Sequence, residues 1–235
     1  MKTNASNKDS APAGKTELSP EIAAVEAKFK KWFPDLPGET LAILAKIHAD
    51  LIKFNKTVTL IPTAAIKNAE NLLVGDSVLG SRIIFPKMIG EYPLYDLSGA
   101  TGCPGLVFAV LYPQKRVMIV DRDKRKLEFC RLMIESLGLK NAAVQVSGLE
   151  ELPSGSVHNL VARGLAPLQK AMLVARKAVV PGGRFFHMKG DGWANELASV
   201  PSQLFTYWSP SLLGQYKIPD SNIENAVVLT EKTAE

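Results

Sequence analysis

Cysteine, histidine and long apolar runs are what this sequence has least of. Two cysteines in 235 residues, Cys103 and Cys130, and three histidines give neither a disulfide framework nor the ligand spacing of a zinc site. A reducing, cytoplasmic setting is therefore expected, with no metal. No apolar stretch approaches the ~20 residues that cross a bilayer. The first twenty residues lack the apolar centre of a secretory signal, so no membrane partner is expected. There is no evident His/Asp or paired-carboxylate constellation for general acid–base work. A complete G-x-G-x-x-G fingerprint is also missing, which weakens a nicotinamide-dinucleotide reading.

What is present is ordinary for a globular chain: 46% hydrophobic and 22% charged residues, with a formal net charge of +5. That excess permits a polyanionic partner without requiring one. The length suits one domain with an extension. The informative stretch runs from Tyr92 to Asp121. Pro93 to Asp96 is an apolar run closed by an acid. A loop of small residues follows (Leu97, Ser98, Gly99, Ala100, Thr101, Gly102), then helically spaced Leu106, Val107, Val110 and Leu111. Val117 to Val120 is a second apolar run, closed by Asp121. This pattern predicts strand, tight loop, helix and parallel strand. The loop then lies at the carboxyl end of a strand, where open α/β sheets bind ligands. Asp121 suits a ribose diol, since a carboxylate accepts a hydrogen bond from each hydroxyl. Asp96 disfavours a pyrophosphate and favours an ammonium or sulfonium group. S-adenosyl-L-methionine carries both cations and is the cofactor these residues favour.

Around this unit, residues 1–19 are polar and aperiodic and read as a disordered arm. Residues 20–90 carry three helical stripes: one from Pro20 to Phe33, one from Glu39 to about Asn55, and one from Thr63 towards Leu79. Each stripe needs a partner face, so these helices form an amino-terminal cap on a core spanning residues 91–235. Further elements are a helix from Lys124 to Ser136, strands at Ala142–Val146 and Val157–Val161, a helix from Pro167 to Val179, and a turn at Pro181, Gly182 and Gly183. A fifth strand is expected at Arg184–Met188, a helix near Trp193 to Ser199, and late strands around Leu204–Trp208 and Ala226–Thr230.

Several side chains fall on the predicted rim. The backbone of Leu149 and Glu150, after the third strand, can read an adenine edge. Arg163 at the end of the fourth strand either donates to guanine O6 or a phosphate, or pairs with a pocket acid. Lys189 ends the fifth strand as either a substrate-side cation or a surface lysine. From Arg122 to Arg131 five basic and two acidic residues cluster. Lys124, Arg125 and Lys126 there meet RNA phosphates or form a solvated helix face. Trp193, Tyr207 and Trp208 read as core rather than as a base-stacking platform.

Taken together these stretches resemble the ribosomal RNA small-subunit methyltransferase G family (glucose-inhibited division protein B), over about Leu41 to Lys232. Asp96 to Gly105 resembles that family's DxGxGxGxPG loop, with Ser98 and Ala100 standing for two of its glycines. Arg125 and Lys126 with Phe129 and Arg131 resemble its KRxxFLR helix start, and Ser147 to Glu151 its GRxEE segment, with Gly148 for the arginine. Ala162 to Ala166 resembles its SRAxA segment, Met188 to Gly190 its LKG, Phe54 to Lys56 its WNK, and Asp76 and Ser77 the end of its RHxxDS. Leu72 and Leu73 replace the Arg-His of that last motif, and Glu224 and Asn225 replace an Arg-His near the last strand.

The resemblance implies a Rossmann-like class I methyltransferase: a mostly parallel seven-stranded sheet with helices on both faces and the amino-terminal cap. It implies S-adenosylmethionine-dependent methylation of guanine N7 in small-subunit ribosomal RNA, free or in the subunit, by a monomer. Asp96, Ser98, Gly99, Ala100, Thr101, Gly102, Asp121, Arg122, Leu149, Glu150 and Arg163 would then hold the cofactor. Arg163 and Lys189 would face the reaction, and Asn55, Lys56, Lys124, Arg125 and Lys126 the RNA. The substituted positions leave open a second reading, a non-catalytic or retargeted relative that binds the cofactor or RNA.

Overall fold

Helix starts and stops follow local chemistry. In the computed structural model, which describes residues 19–97 and 99–234, the Ser19 hydroxyl accepts from the Ile22 N–H and Pro20 takes the first turn of α1 (Pro20–Trp32), where a missing N–H costs nothing. Of the expected arm, all but Ser19 lies outside the described residues, as does Ser98. Helix α2 covers Gly38–Phe54. The third expected helix is broken. A short α3 (Thr63–Ile66) leads into a π-helical turn over Glu70–Gly75, and α4 (Asp76–Ile84) continues from it.

The strands are β1 (Leu94–Leu97), β2 (Val117–Asp121), β3 (Ala142–Val146), β4 (Val157–Arg163), β5 (Val179–Lys189), β6 (Trp208–Lys217) and β7 (Glu224–Lys232). Helices α5 (Gly105–Leu111), α6 (Lys124–Leu137), α7 (Leu168–Ala175) and α8 (Trp193–Ala198) alternate with them. They form one seven-stranded sheet in the order β3-β2-β1-β4-β5-β7-β6. The first five strands are parallel, and β7 runs antiparallel to both β5 and β6. The order reverses between β1 and β4, and such a switch point opens a crevice at the carboxyl ends. Asp96 is in register with Ile119 of β2 and Val161 of β4, so the three strands end level.

Two differences from the sequence expectation have physical causes. Leu204 to Trp208 is not a strand: Ser202–Thr206 is a 3-10 turn and β6 begins at Trp208. As the edge strand, β6 tolerates Pro210, and its register shifts between Leu212 and Gly214. Pro181, Gly182 and Gly183 lie within β5, where the pairing with β4 shifts register, rather than in a separating turn.

Side chains alternate across the sheet. Leu94, Ile119, Val161, Phe186 and Val227 join one core with Phe29, Leu44, Leu51, Phe108 and Phe129. Leu97, Val120, Leu160, Phe185 and Val228 join another with Leu168, Met172 and Trp208. The first core takes in α1 and α2, so those helices share their hydrophobic interior with the sheet. Polar contacts fasten them further. The Asn71 amide donates to Pro219 O at 3.0 Å and the Trp32 indole N–H to Asp220 at 2.9 Å, both in the β6–β7 connection.

The approach to β1 is braced by Asn159, fully buried in β4. Its side chain accepts from Ile89 N at 2.8 Å and donates to Ile89 O at 3.1 Å and Tyr92 O at 3.4 Å. Replacing Asn159 with Ala strands the Ile89 backbone groups and should cost about 2–3 kcal/mol. Urea unfolding should show a lower midpoint at an unchanged m-value.

Candidate functional site

Everything at the rim is arranged around the Asp96 carboxylate. It is completely buried. One oxygen accepts from the Gly105 N–H at 2.7 Å, at the start of α5, and the other has no hydrogen-bond partner among the described residues. The glycines that follow are required by this acid. A Cβ on Gly99 would overlap the Asp96 carboxylate, and one on Gly105 would lie 2.6 Å from its oxygen. Gly102 closes the turn, with its N–H on Gly99 O at 2.7 Å and a φ of +73° that favours glycine. Beneath the turn, the Cys130 thiol of α6 approaches the carbonyls of Gly99 and Ala100 at 3.4 and 3.6 Å. Thr101 accepts from Cys103 N at 3.3 Å and helps set the loop.

Burial raises the Asp96 pKa to about 7, against the opposing pull of the Gly105 hydrogen bond and the Arg163 charge. The same burial pushes Cys103 up to about 12 and Cys130 well above its ordinary value. Neither thiol is a nucleophile near neutral pH.

Beside the loop lies a cavity of about 410 Å³, lined by Leu97, Asp121, Arg122, residues 147–150 and one face of α7. Its size fits a nucleoside. Asp121 accepts from Asp123 N at 2.9 Å through one oxygen. Leu149 and Glu150 begin a 3-10 turn at the cavity wall, where the first N–H groups lack partners within the turn. Arg122 and Glu150 form an ion pair across it. At Gly148 a Cβ would lie 2.5 Å from the Arg122 guanidinium. Any side chain at 148 would therefore meet Arg122.

Arg163 and Lys189 stand at strand ends on the rim but are not idle cations. The Arg163 Nε donates to Asp76 Oδ2 at 2.5 Å, and Nη2 donates to the Leu72 carbonyl in the π-helical turn. Burial opposes the charge on Arg163, and Asp76 more than offsets it, leaving the pKa raised. Asp76 is itself buried, and its other oxygen accepts from the Tyr216 hydroxyl at 2.7 Å and the Asn225 amide at 2.8 Å. Lys189 donates to Ala166 O at 2.6 Å and to Glu196 at 2.7 Å, tying α8 to the loop after β4.

Of the residues expected to face RNA, Asn55 is taken up locally. It accepts from Leu60 N at 2.6 Å and Ile61 N at 2.9 Å, bracing the loop after α2. Lys56, Lys124 and Arg125 are exposed and Lys126 is half-buried. Phe54 meets Phe129, with ring centroids 5.7 Å apart, and joins the end of α2 to α6. Trp208 is fully buried and Tyr207 is covered by the Arg176 guanidinium at 3.6 Å. Among the described residues no group of His, Cys, Asp and Glu could hold a metal, and no helix is long and apolar enough to cross a membrane. Tyr216 and Asn225 are site residues the sequence did not pick out as partners of Asp76. Tyr216 carries no local signal, since only the fold brings an edge-strand tyrosine to Asp76.

A family model described as rRNA small subunit methyltransferase G matches residues 40–209. The Ribosomal RNA small subunit methyltransferase G 3 of Bdellovibrio bacteriovorus is 38% identical over 88% of this chain and 94% of its own. The Ribosomal RNA small subunit methyltransferase G of Xanthomonas oryzae pv. oryzae is 30% identical over 92% of this chain and 97% of its own. Among solved structures, the S-adenosylmethionine-dependent methyltransferase SibL in its apo form matches with a TM-score of 0.53 at 16% identity, over 87% of this chain and 77% of that one. The cyclase SpnF matches with a TM-score of 0.51 at 12% identity, over 68% and 81%. These two structures bear on the Rossmann-like fold alone.

The raised Asp96 pKa sets a pH dependence. Unfolded, the group ionises near its ordinary value of 3.8; folded, it ionises near 7. Between those values the folded chain keeps a proton the unfolded chain has released, so its stability falls as pH rises through the window. Asp96→Asn removes the effect. Urea unfolding without ligand at about pH 5 and about pH 7.5 should show the native chain losing stability relative to the variant by on the order of a few kcal/mol. A constant difference would show that burial does not hold the proton.

Proposed function

Because the chain belongs to the ribosomal RNA small subunit methyltransferase G family, we propose that it is an S-adenosylmethionine-dependent methyltransferase that modifies guanine N7 in small-subunit ribosomal RNA. The observation that carries the assignment to this site is the buried Asp96 carboxylate with one unpartnered oxygen, beside Gly99 and Gly105, where any side chain would collide with it. That environment fits a zwitterionic, positively charged sulfur nucleoside and not a pyrophosphate.

S-adenosylmethionine supplies, when bound, a methyl group on a positively charged sulfur. Guanine N7 has a free lone pair at neutral pH, so no residue needs to remove a proton from it. The protein's task is to hold the two reactants in line and exclude alternatives. Asp96, with the backbone of Gly99, Ala100, Thr101 and Gly102, holds the amino-acid end. Asp121 takes the ribose hydroxyls, and the amides of Leu149 and Glu150 read the adenine edge, with Arg122 closing the outer wall. Arg163 keeps Nη1 without a hydrogen-bond partner among the described residues, available to the incoming base or to the cofactor's carboxylate. Lys189 shapes the rim through Glu196. Residues 20–90 serve as a cap over the core, and exposed Lys56, Lys124, Arg125 and Lys126 supply cations for RNA phosphates. The protein acts as a monomer in the cytoplasm.

Purified protein incubated with methyl-labelled S-adenosylmethionine and small ribosomal subunits or their RNA should place label on guanine N7, read by mapping of methylated nucleotides. Tight cofactor binding with no label on either substrate would sink the proposal. Lys124→Glu with Arg125→Glu should weaken RNA binding and reduce the salt dependence of its affinity by roughly two charge equivalents. Cofactor affinity should be unchanged, by calorimetry.

A further inference from the structure

Asp76 has no place in the chemistry described so far, yet it is buried and accepts three hydrogen bonds from three different side chains. It stands where the π-helical turn passes into α4 and is 1% exposed. Groups from three other elements converge on it: Arg163 of β4, Tyr216 of β6 and Asn225 of β7. Arg163 is held twice on one side, by Asp76 through Nε and by the Leu72 carbonyl through Nη2. A guanidinium fixed at two of its nitrogens cannot rotate, and its third points where the backbone of β4 dictates. Its charge is felt by Asp96 and Cys103, on the cofactor loop.

A pair made of Asp76 and Arg163 alone would leave the second carboxylate oxygen buried and unpaired, at a cost that loosens the contact. Tyr216 and Asn225 remove that cost. For stability alone, apolar residues of the same volume would serve as well as this buried ion network. Arg163 follows Ala162, the β4 partner of Leu97 at the end of β1, and that position gives the network another use. We propose that Tyr216 and Asn225 are positioning residues that act through Asp76 to fix the Arg163 guanidinium at the crevice. This rests on Arg163 touching the cofactor or the base, as proposed above. Tyr216 contributes only its hydroxyl to the relay. Phenylalanine keeps the ring packed against the core and leaves Asp76 its other partners.

The test is a double-mutant cycle of Tyr216→Phe and Arg163→Lys on two observables, S-adenosylmethionine affinity by calorimetry and methyl transfer to small subunits. Tyr216→Phe should lower at least one of them by about tenfold, the effect of one hydrogen bond to a charged group. In the Arg163→Lys background the same change should add little, because the group it positions is gone. Losses that multiply in both observables, or no loss from Tyr216→Phe in either, would overturn the relay. Asn225→Ala run through the same cycle supplies a second reading should Tyr216→Phe fail to fold. A native protein that binds the cofactor but transfers no methyl group would count against the proposed function only, since the cycle is still read from affinity.

Discussion

A carboxylate without water is the constraint from which the site follows. Asp96 ends β1 under the loop, fully enclosed, and receives one N–H where a solvated carboxylate would receive several. Removing a charge from water in this way is costly unless a partner arrives. The loop cannot relax around it, because Gly99 and Gly105 already press against the carboxylate and Gly102 is committed to a left-handed turn. Burial therefore favours the protonated acid up to about pH 7, so ionised Asp96 makes a local sacrifice of stability at the switch point of the sheet.

The cations around the crevice are spoken for in turn, and this shapes what they can do. Arg163 and Lys189 are each bonded to an acid and to a backbone carbonyl, so neither is a loose charge that would bind any phosphate. Arg122 faces Glu150 at the cavity wall. It occupies the volume above Gly148, so the wall keeps an arginine although the segment after β3 has none. Charge pairs of this kind give up some raw affinity for geometry: a paired guanidinium offers its remaining N–H groups in one direction only.

The β1–α5–β2 unit was legible because three signals coincide there: a short continuous apolar run closed by an acid, a small-residue loop, and a shift to helical spacing. Asp96 and Asp121 could be placed at strand ends from the same pattern. Other features are hidden for identifiable reasons. The π-helical turn at Glu70–Gly75 has the same apolar spacing as the helix around it, so nothing local announces the change of hydrogen-bond ladder. Trp208 follows Phe205 and Tyr207, and the aromatic run from Leu204 reads as a strand although only Leu204 and Trp208 are buried. The true strand, with Pro210 and Gly214, is tolerated only because it lies at the sheet edge. Strand-end positions for Arg163 and Lys189 were readable, but their partners were not. Asp76 lies 87 residues from Arg163 in sequence and Tyr216 lies 140 from Asp76. Pairings across such separations belong to the fold and leave no trace in periodicity.

The lack of an acid–base pair fits the chemistry. Attack by guanine N7 on a sulfonium methyl begins with a neutral base and a cation and ends with a cationic base and a neutral thioether. No proton moves, and the net charge of the reacting pair is unchanged while its location shifts from sulfur towards the ring. A general base would have nothing to remove. What matters is a fixed electrostatic frame that does not reorganise as the charge shifts. A buried carboxylate beneath the loop and a guanidinium clamped at two nitrogens form such a frame. Asp96 is held from α5, and Arg163 from α4 and the π-helical turn, at the end of the adjacent strands β1 and β4.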